Sequence, residues 1–78
     1  MLRSDDGVIA FSLAPTSHGV FVERVQLRSG KTRIVQATLF TDDASFNRWC
    51  DADAVQFEYP VVYVNLKRSG DALFRPPG

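Results

Sequence analysis

The feature that most constrains this chain is a period-two alternation of apolar residues, repeated three times between turn-forming segments. Ile9, Phe11 and Leu13 share one phase, as do Phe21, Val25 and Leu27, and then Val35, Ala37 and Leu39. Successive strand side chains point to opposite faces, so each set lies on one face of a strand. Thr16-Ser17-His18-Gly19 and Ser29-Gly30 supply the turn residues between them. The pattern predicts strands over 8–13, 20–28 and 33–40, connected as antiparallel hairpins. For the second hairpin, a three-residue loop of Arg28-Ser29-Gly30 keeps odd positions opposite odd ones, with Leu27 facing Lys31. It also places Gly30 at the left-handed position of a type I turn with a bulge.

A helix is predicted over 41–51. Thr41 or Asp42 caps it, and Asp42 and Asp43 complement the positive end of its dipole. Phe46, Trp49 and Cys50 fall at i, i+3 and i+4 and form one apolar stripe. From Val55 to Leu66 the residues are β-rich, with apolar positions odd before Pro60 and even after it. Proline cannot donate to a ladder, so the phase change predicts a strand that bulges or bends at a sheet edge. Lys67-Arg68-Ser69-Gly70-Asp71 then predicts a turn, and Ala72-Leu73-Phe74 a further short strand.

The expected fold is therefore α+β: a small antiparallel sheet in the order β-β-β-α-β, with one short helix packed on one face. The 78 residues suffice for one domain, with residues 1–6 and 75–78 expected as flexible tails.

Nine basic and nine acidic residues cancel, which gives no general attraction to nucleic acid or an anionic membrane. The start, Met1 to Gly7, lacks the apolar stretch of a signal peptide. No run approaches the roughly 20 apolar residues of a membrane helix. A lone cysteine cannot make an internal disulfide. Together these lead to the expectation of a cytoplasmic protein that engages no membrane.

No catalytic, cofactor or metal site is predicted. His18 lies in a turn and Cys50 on the helix stripe, and nothing in their spacing brings them together as base and nucleophile. One histidine and one cysteine are too few for a zinc site of the usual donors. Asp42, Asp43, Asp51 and Asp53 do not match a calcium loop and form a solvated acidic helix surface. The scattered glycines match no phosphate-binding loop.

Two functions from different classes follow. The first is a non-enzymatic protein-interaction module, whose partner is another protein or a second copy of itself. Val20, Val22, Val62 and Val64 are out of phase with their strands' other apolar residues, and one short helix cannot cover both sets. They are the predicted apolar interface. The alternative is a single-stranded nucleic-acid-binding domain. Arg24, Arg28, Lys31 and Arg33 cluster at one predicted hairpin tip, and Lys67 and Arg68 at a second, where they would follow a phosphate backbone. Zero net charge argues against that alternative.

Overall fold

The computed structural model describes residues 1–74. The chain forms β1 (Leu2–Arg3), β2 (Ile9–Thr16), β3 (Gly19–Arg28), β4 (Lys31–Phe40), α1 (Asp43–Phe57) and α2 (Pro60–Phe74). The strands make one antiparallel sheet in the order β1-β2-β3-β4, and the two helices form an antiparallel-type hairpin against one of its faces. The α+β class and antiparallel sheet are as the sequence predicts. The single helix and the strand after it are not.

That strand is α2. Val61, Val62 and Val64 have high strand propensity, but tertiary packing overrides it. Val62, Tyr63, Leu66 and Gly70 are the buried residues of α2, spaced at a helical period. Pro60 occupies the first helical position, where its missing N–H costs nothing. The phase change across Pro60 therefore marks a boundary between two helices and not a bent strand. Gly70, predicted in a turn, lies inside α2 because the Phe46 ring of α1 fills the space beside it. A Cβ there would come 2.2 Å from Phe46 Cε2. The predicted strand at 72–74 is the last turn of the same helix.

α1 begins where predicted and runs longer. Asp42 caps it, its carboxylate accepting from the Ser45 amide at 2.7 Å. Glu58 ends it in the left-handed conformation, φ 59°. Asn47 Nδ2 bridges the helices by donating to Asp71 Oδ1 at 3.0 Å.

The β3–β4 turn also differs from the prediction. Arg28 pairs with Lys31, so the loop is the two residues Ser29-Gly30, and both have positive φ (51° and 75°). This is the combination that a type I′ turn requires. A two-residue loop sets odd residues opposite even ones, as in Leu27↔Thr32 and Val25↔Ile34. A bulge at Val35 then restores even with even, from Arg24↔Gln36 to Val20↔Phe40. The register correction expected in the turn is made inside the strand.

The core lies between the sheet and the helices. Phe11, Val20, Val22 and Phe40 pack against Phe46, Cys50, Val62, Tyr63 and Leu66, with Trp49 partly buried beside them. Edge-to-face ring contacts tie the layers together, including Phe11 with Tyr63 at 5.1 Å and Phe40 with Phe46 at 5.5 Å. Residues 2–3, expected in a tail, form the edge strand β1, and Ser4 is buried behind them. The tail expected at 75–78 lies outside the described residues. Among the described residues, no helix is long and apolar enough to cross a membrane.

Candidate protein-interaction surface

The sheet register decides which apolar residues face the helices. Phe11, Arg24 and Leu2 are cross-strand neighbours, as are Leu13, Val22 and Thr38, and Pro15, Val20 and Phe40. Cross-strand partners share a face. Phe11, Val20, Val22 and Phe40 are in the core, so the even positions of β3 and of the second half of β4 point to the helices. The odd positions Phe21, Val25, Leu27, Ala37 and Leu39 point the other way. Ile34 joins them through its pairing with Val25.

That outer face is apolar and uncovered. Phe21 and Leu39 are directly opposite each other, Phe21 half-buried and Leu39 43% exposed. Ile34 is 57% exposed. Val25 and Ala10 are shielded at its centre, yet neither belongs to the cluster that the helices cover. Between the Phe21–Leu39 and Val25–Ile34 rows, Ser12 donates to Glu23 across the strands at 3.3 Å, a polar pair that divides the patch. The rim is β4, the free edge of the sheet.

The residues predicted as the apolar interface are placed differently. Val20, Val22 and Val62 are at most 4% exposed and belong to the core. Only Val64 is exposed, on α2 beside Val61 and away from the outer sheet face. In β3 the set turned from the helices is the odd one, of which Phe21 and Leu27 are half-buried and Val25 is buried. Phe11 and Phe40, opposite the even residues of β3, draw those residues into the core. The exposure of Ile34 had no signal in a period-two count, because the bulge at Val35 changes its phase.

The predicted basic patch is divided among three places. Arg24 points inward, and its Nη1 donates to Asp53 Oδ2 at 2.6 Å. Its guanidinium also lies 4.3 Å from the centre of the Phe57 ring. Asp53 is buried, not part of a solvated acidic surface, and it also accepts from the Tyr63 hydroxyl at 3.2 Å. Burial pushes the Tyr63 phenol up to about 12. Lys67 and Arg68 lie within α2 and not on a hairpin tip, and Lys67 pairs with Asp51 at 2.8 Å. Arg28, Lys31 and Arg33 remain together at the β3–β4 turn. Arg3 joins Arg28 and Lys31 around a recess of about 270 Å³ there.

His18 is exposed in the β2–β3 turn and Cys50 is fully buried under the helices. Burial raises the Cys50 thiol to about 12, so it stays protonated at neutral pH. Among the described residues, no three His, Cys, Asp or Glu side chains gather where they would share a metal ion. No family model, curated protein or solved structure matches this chain.

Proposed function

We propose that this protein is a non-enzymatic interaction module that binds protein through the outer face of its sheet, its partner being another protein or a second copy of itself. The observation that supports it is the pair Phe21–Leu39, with Ile34 farther along the same face beyond the Glu23–Ala37 row. These are large apolar side chains on a sheet face that neither helix covers. Uncovered apolar surface of this kind marks contact sites more often than chance. A patch crossed by one polar pair and bordered by basic residues has the composition of an interface core with its rim.

A second reading is favoured by one observation. Arg28 and Lys31 border two recesses at one end of the sheet, one also lined by Arg33 and the other by Arg3, a basic end that single-stranded nucleic acid would need. It now rests on the turn end alone, because Arg24 is held by Asp53 and Lys67 by Asp51.

Lysine at both Phe21 and Leu39 separates these readings from a purely structural role. The interaction reading expects the variant to stay folded and to lose concentration-dependent association in sedimentation. It expects Arg3→Glu with Arg28→Glu to leave that association unchanged. Loss of the fold on lysine substitution would mean that the face stabilises the monomer. Salt-sensitive binding of single-stranded oligonucleotides, abolished by the Arg3 and Arg28 reversals, would favour the second reading.

A further inference from the structure

The two edges of the sheet are unequal. β1 is two residues long, whereas β4 is ten residues long and seven of them are exposed. From Ile34 to Phe40, β4 reads Ile-Val-Gln-Ala-Thr-Leu-Phe, with no charge, proline or glycine. Exposed edges are normally shortened, charged, bulged or interrupted by proline, because their free backbone groups recruit another strand, and β4 carries one such bulge at Val35. Beyond that bulge, Gln36 to Phe40 form a regular run with none of these protections.

The backbone phase shows which groups are free. The Leu27 amide donates to the Val8 carbonyl, so odd residues of β3 turn their backbone toward β2 and even residues toward β4. Gln36, Thr38 and Phe40 pair with the even residues Arg24, Val22 and Val20. The N–H and C=O groups of Ala37 and Leu39 therefore point away from the sheet, along its open edge.

Resting on the interaction reading above, we propose that two copies of this chain pair β4 with β4, antiparallel across a two-fold axis at Thr38, as one continuous eight-stranded sheet. This register sets Ala37 of each copy opposite the partner's Leu39, using both outward-facing residues in both directions. A small side chain then meets a large one on the outer face, and Thr38 meets its own copy on the other, a favourable cross-strand pair. Charge favours a second copy as the occupant. The strand is basic at its start (Lys31, Arg33) and runs into acid at its end (Asp42, Asp43). Antiparallel self-pairing brings each basic end alongside the partner's acidic end, and like charges are kept apart. A parallel arrangement would lose this match.

The test uses sedimentation over a wide concentration range with circular dichroism on each variant. Wild type is expected to pass from monomer to dimer. Ala37→Pro removes an outward amide that β3 does not use, a place where an edge strand tolerates proline. It is expected to stay folded and to weaken dimerisation about a hundredfold, through two symmetry-related hydrogen bonds and the ring clash. Arg33→Glu is expected to weaken it about tenfold. Should Ala37→Pro fail to fold, amide exchange of wild type decides. Protection of the Ala37 and Leu39 amides that rises with concentration supports the edge pairing, and free exchange at all concentrations overturns it. A dimer that survives Ala37→Pro overturns it too. If that dimer is lost with lysine at Phe21 and Leu39, the contact lies on the face and the interaction reading stands. A wild type that stays monomeric overturns self-pairing and leaves a different protein as the partner of that face.

Discussion

Arg24 of β3 and Asp53 of α1 form the one ion pair that joins the sheet to the helices among the described residues, at 2.6 Å. Their side chains are 14% and 11% exposed. Tyr63 of α2 donates to the same carboxylate oxygen, so three elements meet at one buried charge.

Removing one member of such a pair strands the other, at a cost of about 3–5 kcal/mol. That is a large part of the 5–15 kcal/mol margin usual for a folded domain. Asp53→Ala is expected to lower the urea midpoint severely. Asp53→Leu with Arg24→Met should cost much less than the sum of the two single changes, since no charge is left alone. Additive losses in that double-mutant cycle would show that the two side chains do not depend on each other. Tyr63→Phe is expected to cost only about 1 kcal/mol, the value of one hydrogen bond.

Gly70 and Phe46 give a second expectation. Alanine is the better helix former by about 1 kcal/mol, so Gly70→Ala would be stabilising in an exposed helix. Here its Cβ meets a Phe46 ring that is fully buried and in contact with the Phe40, Trp49 and Phe74 rings. The ring has nowhere to go. Gly70→Ala is therefore expected to destabilise by about 1–3 kcal/mol, and Phe46→Leu in the same chain to recover part of the loss. Thermal melts of the two single variants and the double variant measure this.

Asp6 supplies a pH dependence. The Ser4 hydroxyl, then the Val8 amide and the Tyr59 hydroxyl, donate to its carboxylate and lower its pKa below the usual 3.8. A group with a depressed folded pKa contributes stability above its unfolded pKa and loses it as pH falls through the folded value. Wild type should thus exceed Asp6→Asn in stability at neutral pH. The gap should close as pH drops below 3.8. Urea midpoints of both proteins across acid pH report it, and a gap independent of pH would assign the effect to something other than the carboxylate charge.

The sequence by itself determined the three long strands, a helix start capped by Thr41 or Asp42 and the Phe46–Trp49–Cys50 stripe, because each is a local pattern of periodicity or capping; the structure selects Asp42. It also carries the helical spacing of α2, masked by residues of strand and turn preference. Val62, Tyr63, Leu66 and Gly70 keep a helical spacing, but three valines and a glycine flanked by serine and aspartate resemble strand and turn to any local rule. Only the tertiary structure decided that segment, because the core surface of α1, with Phe46 filling the space at Gly70, is what makes a helix the better use of those residues. The faces of β3 were decided in the same way. Val20-Phe21-Val22 is apolar on both sides, and local preference does not choose between them. The bulge at Val35 and the register that sets Phe40 against Val20 make the choice. They bury the even residues and leave Phe21, Ile34 and Leu39 on the face turned away from the helices.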